Sequence, residues 1–280
     1  MRSFTRFILV MSLACVSSPV LAQEQSIEEY TGPWPQYLNK KPESCDATSL
    51  KLINLHLMAR GGAEALSNVS TLKLEGVLLE GKVDSEISFF CHSDGETQML
   101  TNRFYRGDDY IVASSIGQGA SWRQNLSPEK ASPRRLGGLD ESLLRLNGWL
   151  PWLFIDPDGS GHVFAYQGTK TFAGKEAYLI HGWLANGMQI DVLFDAKSFH
   201  IVNYRHVFSI AGKQVVVDRM PTGLTRSSDV WWETGYSFRL RGKTFRNLTY
   251  ETVTANAPLA ERLFEMPNVK ERWLRVTPEQ

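Results

Sequence analysis

From Ser70 to about Val253 the apolar residues of this 280-residue chain recur at every second position, in runs separated by turn residues. Period two puts successive side chains on opposite faces of a strand, so each run has one apolar face to bury and one polar face for water. Runs joined by turns this short pair as hairpins, and hairpin after hairpin makes an antiparallel sheet. The chain is therefore committed to one large sheet whose apolar face must be covered or filled.

A helix precedes the sheet. Asp46 is a suitable N-cap, and Leu50, Ile53 and Leu57 form one stripe as far as Arg60. Gly61-Gly62 stops the helix, and Ala63–Asn68 forms a second short turn. The run Leu72, Leu74, Gly76, Leu78 then alternates with Thr71, Lys73, Glu75, Val77, and Val83, Ser85, Ile87, Phe89 continue it past Gly81-Lys82. Further strands are expected at Thr97–Phe104, Tyr110–Ile116 and Ala120–Asn125. Leu136–Phe154 breaks the pattern as a helix, with Asp140 as its N-cap and Pro151 kinking or ending it. A meander follows: Val163–Gln167, Ala177–Leu184, Met188–Asp195, Ile201–Ile210, Gln214–Met220, Val230–Leu240 and Thr244–Val253. Asn186-Gly187 is its strongest hairpin signal. Met188, Ile190, Val192 and Phe194 point one way, Gln189, Asp191 and Asp195 the other. The expectation is about eleven strands with helices on the concave side, mainly β in class (α+β), with no internal repeat.

Residues 1–22 read as a cleavable export signal, with Arg2 and Arg6, an apolar core Phe7–Val16 and a small-residue site at Val20-Leu-Ala22. The core is shorter than the roughly 20 residues of a membrane span. Residues 23–45 form an extended leader with Pro33, Pro35 and Pro42, whose Trp34 and Tyr37 suggest that it lies on the body. Residues 46–267 make the domain and 268–280 a tail. Without the signal, 28 basic residues face 30 acidic ones and no positive block occurs, which argues against nucleic acid. Cys45 and Cys91 remain. In an oxidising compartment they can pair, closing a loop worth about 4 kcal/mol, with two separate thiols as the alternative. The bridge is the expectation, tying the leader to the second strand.

No catalytic, metal or cofactor signature rises above background. Gly159-Ser160-Gly161 lacks the context of a nucleophile elbow. Histidines 92, 162, 181, 200 and 206 occur singly, without the spacing of a helical zinc site. Asp156-Pro-Asp-Gly-Ser-Gly-His162 resembles the start of a calcium loop, but Gln167 stands where the bidentate glutamate belongs, so a polar turn is the better reading. Of the adjacent Trp231 and Trp232, one must face away from the apolar side. With Trp149, Trp152 and Phe154 they are either ordinary packing or the rim of an apolar site.

Taken in order, Ala59-Arg-Gly-Gly-Ala-Glu-Ala-Leu66, Ser70-Thr-Leu-Lys-Leu-Glu-Gly76, Gly119-Ala-Ser-Trp-Arg-Gln-Asn125, the helical insert, Val192-Leu-Phe-Asp-Ala-Lys197 and the closing Val253–Pro267 segment resemble the LolA/LppX-like group of outer-membrane lipoprotein-sorting and periplasmic lipid-carrier proteins. The resemblance spans about residues 50–267. It departs from the group's pattern in its longer leader with Cys45, and in Pro221–Asp229 where an Asp-Gly turn is usual. It implies an unclosed β-barrel around inserted helices, an apolar cavity for lipid or lipoprotein acyl chains, no catalytic residues, a periplasmic location, and a transport partner in the inner or outer membrane. On that reading Leu74, Leu78, Ile87, Phe89, Trp122, Leu143, Leu150, Ile190, Val192 and Phe194 line the cavity. Physics favours such an enclosure, since a 16-carbon chain left in water costs on the order of 12 kcal/mol. A cell-envelope scaffold that uses the same fold to hold a protein is the alternative.

Overall fold

A computed structural model describes residues 40–117, 120–127, 131–210, 213–240 and 242–267. Residues 1–39 and 268–280, which include the expected export signal, most of the expected leader and the expected tail, lie outside the described residues. Helix α1 (Ala47–Arg60) and the short α2 (Ala63–Ser67) come first. Then follow β1 (Thr71–Glu80), β2 (Val83–His92), β3 (Thr97–Tyr105), β4 (Asp108–Ile116), β5 (Ser121–Asn125) and β6 (Arg134–Arg135). Helix α3 (Gly138–Trp149) runs into a 3-10 turn, Leu150–Trp152, and leads to the second meander. That meander is β7 (Val163–Phe172), β8 (Lys175–Trp183), β9 (Gln189–Asp195), β10 (Ile201–Ile210), β11 (Lys213–Ser227), β12 (Val230–Leu240) and β13 (Lys243–Ala255).

All pairings are antiparallel, in the order β6-β5-β4-β3-β2-β1-β13-β12-β11-β10-β9-β8-β7. The first full strand is thus zipped to the last, and the two meanders become one 13-stranded sheet. It does not close. Its edges are β6, reduced to two exposed arginines, and β7, broken by a register shift between Tyr166 and Thr169. A short charged edge and a bulged one both discourage pairing with another chain.

Asp46 caps α1 as expected: its Oδ1 accepts from the amides of Thr48 and Ser49, each at 2.9 Å. Its Oδ2 accepts from the Tyr166 amide at 2.6 Å, fastening the helix to β7. Burial alone would raise its pKa, but these amide bonds outweigh it and hold the carboxyl below its usual value. Gly61 ends α1 at φ 119°, and a Cβ there would stand 2.2 Å from the Asp229 carbonyl oxygen. Only glycine fits. Leu52, Ile53, His56 and Leu57 are buried on the sheet side. The His56 ring packs against Phe154 and Phe194, with ring centres 5.5 and 5.3 Å apart.

Several expectations need correcting. Asp140 does not cap α3: Gly137 stands at the N-cap without a side-chain bond, and Asp140 sits in the first turn facing Arg123. Pro221–Asp229 is not a loop, because β11 runs on to Ser227 with register shifts on either side of Gly223. Asp191 does not face water. On the outer face of the second meander His181, Asp191, Arg205 and Asp218 lie opposite one another from strand to strand. All four are buried, with His181 Nδ1 and Asp191 Oδ1 2.7 Å apart and Arg205 Nε donating to Asp218 Oδ1 at 2.8 Å.

The Cys45–Cys91 bridge is not formed, and both are free thiols. Cys45 Sγ accepts from the Phe164 amide at 3.2 Å at the start of β7. Cys91 sits in β2 between Leu72 and Thr97. In sheet order all the strands from β1 to β8 separate those two places. Counting thiols carries no such geometry, which a disulfide requires. Burial raises the pKa of both thiols.

Candidate functional site

The inner face of the sheet is unevenly filled. Under α1 it is solid: Phe164, Ile180, Ile190, Val192 and Phe194 have no exposed surface. Under α3 a cavity of about 600 Å³ remains, bounded by β1–β5, the start of β13 and the helix. Leu78, Met99, Val112, Leu136, Leu143 and Leu144 give it an apolar lining. Glu80, Arg103, Arg123, Asp140 and Arg246 add charge, with Arg123 pairing with Asp140 at 3.4 Å and Arg246 with Glu80. Ser85, Thr101, Ser114 and Asn147 complete a lining that is mixed, apolar and polar side chains together.

Two buried arginines hold the inserted helices in place. Arg219 on β11 is 3% exposed, with its guanidinium 3.4 Å from the centre of the Tyr236 ring and near the faces of Phe238 and Tyr204. It donates to Asn147 of α3 and so ties the helix to the sheet. Desolvated cation–π contacts of this kind are worth about 2 kcal/mol or more. Arg60 lies over Trp232 at 5.0 Å and donates to the carbonyls of Trp231 and Pro151 at 3.1 and 3.0 Å. It joins α1 to β12 and to the end of the α3 segment. The C-terminal end of α3 is also close-packed: a Cβ on Gly148 would meet Thr97 Oγ1 at 1.8 Å, and one on Gly95 would meet Trp149 Nε1 at 2.3 Å. At the other end Gly137 and Gly138 have open space around them.

Of the residues expected to line a cavity, the structure places Leu78 and Leu143 in this one. Leu74, Ile87 and Phe89 share its face of the sheet but are buried core outside the lining, as is Leu150 at the start of the 3-10 turn. Ile190, Val192 and Phe194 belong to the filled region under α1. Trp122 is on the other face. Its neighbour Arg123 lines the cavity, so Trp122 points outward, where its Nε1 donates to the Phe264 carbonyl at 3.1 Å. Gln98 and Ser115 bond the same closing segment, which covers the outside of β3–β5. Trp231 is 39% exposed and Trp232 3%, as adjacent positions on a strand require.

Sequence reasoning gave no weight to Arg60, Arg219, Glu233 or His56. Arg219 stands on the inner face at a position where alternation offers an apolar residue, and that lapse is its one visible signal. Glu233 is out of step with Tyr236 and Phe238 across the register shift at Gly223/Leu224 and carries no such signal. Burial, with Arg60 next, pushes His56 down to a pKa of about 3, against the opposing pull of Glu233 and the Phe199 carbonyl. Burial would raise Glu233, but Arg60 and Arg219 keep it below its usual value. Asp156 forms a polar turn, its Oδ1 accepting from the Gly159 amide at 3.0 Å. Among the described residues no group of three or more His, Cys, Asp or Glu is placed to hold a metal.

No family model and no curated protein sequence matches the chain. Solved structures do. An outer membrane lipoprotein-sorting protein domain from Vibrio parahaemolyticus is 12% identical with a TM-score of 0.51, covering 79% of this chain and 97% of its own. A LolA superfamily protein from Nitrosomonas europaea is 9% identical with a TM-score of 0.50, covering 79% and 98%. A DUF1329 family protein from Desulfovibrio piger covers 77% and 96% at 11% identity, with a TM-score of 0.45. At such identities the likeness is one of fold. With its single unclosed antiparallel sheet wrapped over inserted helices, the chain has the LolA-like fold.

Proposed function

We propose that the protein is a non-catalytic periplasmic carrier or binding protein for the acyl chains of lipids or lipoproteins, held between α3 and β1–β5. The observation that carries this reading is the cavity of about 600 Å³ whose lining brings Leu78, Met99, Val112, Leu136, Leu143 and Leu144 together beside polar and charged residues. Its volume falls in the roughly 300–1,000 Å³ range of small-molecule sites. The Vibrio domain of like fold is a lipoprotein-sorting protein by name, which agrees with this class of cargo. The arginine–carboxylate pairs Arg123–Asp140 and Arg246–Glu80 stand at the polar part of this lining.

Native mass spectrometry of the protein purified without detergent tests the reading. A carrier retains lipid, and Met99→Trp, which fills the cavity, releases it without loss of fold. Lipid-free wild type that takes up nothing from vesicles would overturn the proposal. A second reading, a scaffold that holds a protein in the cell envelope, is favoured by Phe104, 73% exposed near the β3–β4 turn on the face of the sheet away from the cavity. A scaffold would come through the same experiment empty.

A further inference from the structure

A second pocket, of about 220 Å³, opens where the end of α1, the start of β10 and the bulged stretch of β11 meet β12. Arg60 and Glu233 both line it, with His200 beside them. Arg60 is 3% exposed. Its Nε and Nη1 are taken up by the Trp231 and Pro151 carbonyls, but Nη2 is buried without a hydrogen-bond partner. Glu233 Oε1 accepts from the Tyr204 hydroxyl at 3.2 Å. Arg60 and Glu233 face the same space, yet among the described residues they form no ion pair within 4.0 Å.

Opposite charges taken out of water gain most by closing on one another, and a buried donor left unpaired is costly. Here the pair is held apart instead. Arg60 is fixed by two backbone carbonyls and by the Trp232 ring, Glu233 by Tyr204. The register shifts around Gly223 draw β11 out of regular pairing at this place, and bulges of this kind commonly re-aim a strand beside a binding site. The rim is apolar and partly exposed, with Leu224 at 41% and Trp231 at 39% next to Pro221. A compact group with a negative and a positive end completes such a site. A purely anionic group would meet the Glu233 carboxylate, and a purely cationic one the Arg60 guanidinium.

We propose that this pocket is a headgroup subsite for a phosphodiester bearing a primary ammonium. The phosphate accepts from Arg60 Nη2, the ammonium donates to Glu233, and the hydrocarbon leaves over Leu224 and Trp231. The inference rests on the lipid-carrier reading and adds to it the class of lipid. A second buried determinant supports it: Arg60 and Arg219 keep Glu233 below its usual pKa despite burial, so it is charged when an ammonium arrives.

The test uses the full mature chain, stripped of lipid and mixed with vesicles of phosphatidylethanolamine or phosphatidylglycerol with matched acyl chains, and native mass spectrometry counts what is bound. The expected result is a preference of roughly tenfold for the ethanolamine lipid, the scale of one added charge-assisted bond. Glu233→Gln should bring the two lipids level, and water-soluble glycerophosphoethanolamine should shift the amides of Trp231 and Glu233 in the wild type. Equal binding of both lipids by the wild type overturns the subsite and leaves the carrier reading standing. If no lipid of either kind binds, the carrier reading fails, and the soluble headgroup then decides. Shifts at Trp231 and Glu233 keep the subsite as a site for a free phosphodiester amine, and their absence ends it. Because the soluble headgroup is tested on the wild type, a Glu233→Gln variant that fails to fold does not shield the idea.

Discussion

The two helices inserted against the sheet rest on floors of the same design with opposite outcomes. Beneath α1, Phe164, Ile180, Ile190, Val192 and Phe194 of β7–β9 have no exposed surface, and the outer residues Ala177, Leu179, His181, Asp191 and Leu193 are buried too. Beneath α3, the floor alternates just as regularly, yet its inward positions include Ser85, Thr101, Ser114 and Val112, and a cavity remains. The helices differ in how they begin. Asp46 locks α1 with three amide bonds, whereas α3 starts from Gly137-Gly138 with no side-chain cap. One side of the sheet is built to stay shut. The other is built with room.

The largest test of that contrast is truncation at matched floor positions. Ile190→Ala, under α1, should cost about 3–4 kcal/mol, because Ile190 has no exposed surface and packs with Phe164 over Gly182, where a void cannot easily collapse. Val112→Ala, beside space already present, should cost about 1 kcal/mol or less. Urea denaturation of both variants measures the difference, and equal losses would mean that the floor under α3 is packed as tightly as that under α1.

The next largest effect is acid sensitivity centred on His56. Its pKa is pushed down to about 3 in the native protein, against an ordinary value near 6.5. As pH falls from 6.5 towards 3, the unfolded chain therefore binds a proton that the native chain does not. Stability that is fully present above 6.5 is progressively lost. At pH 4.5 the loss from this residue is about 2–3 kcal/mol. His162, His200 and His206 are depressed by burial as well and add in the same direction. Denaturation at pH 7 and 4.5 should show a smaller drop for His56→Gln than for wild type. An identical drop would place the acid sensitivity elsewhere.

Much of this architecture is legible before any coordinates. Asp46, Gly61 and the bounds of β10 and β12 fall where local rules put them. So does Asn186-Gly187, where Asn186 Oδ1 accepts from the Met188 amide at 3.0 Å and Gly187 takes φ 83°. What could not be read is what lies over each face. Alternation tells which residues share a side, but not whether that side is filled, hollow or covered. Trp122 looks like a cavity residue until Phe264, far along the chain, is found against its outer position. Asp191 looks solvated until His181 and Arg205 are placed opposite it. Arg219 contradicts its apolar environment until three aromatic faces and Asn147 are counted around it. Trp122 and Arg219 depend on partners remote in sequence, and Asp191 on the exact register of three neighbouring strands, so none of them is read from one strand's pattern.

The contrast also runs along α3 itself. Gly148→Ala should cost about 1–3 kcal/mol, because the added Cβ drives into Thr97 on a close-packed strand. Gly137→Ala meets nothing within 4 Å and has φ −158°, which any residue adopts, so it should be nearly silent. If the two substitutions cost the same in thermal denaturation, the helix is held alike at both ends, and the idea of one fixed and one loose end fails.

The smallest energies belong to the motion that the looser end would allow. Arg60 and the Gly95–Trp149 and Gly148–Thr97 contacts hold the C-terminal end of the α3 segment, while its first turn is tied to β5 by the Arg123–Asp140 pair and by Ser121 Oγ donating to Glu141 at 2.8 Å. An exposed pair such as Arg123–Asp140 is worth about 0.2–1 kcal/mol. Local opening should therefore begin at the glycine end, above the cavity, and hinge near Gly148. Hydrogen exchange on lipid-free protein should show amides of residues 140–144 exchanging faster than those of 149–155, and both faster than β9. Bound lipid should slow the first group most, because it fills the space beneath Leu143 and Leu144. Protection equal to that of β9 throughout α3, or a first turn that does not respond to any lipid which demonstrably binds, would make the segment plain core and move the entry route for an acyl chain to another edge of the sheet.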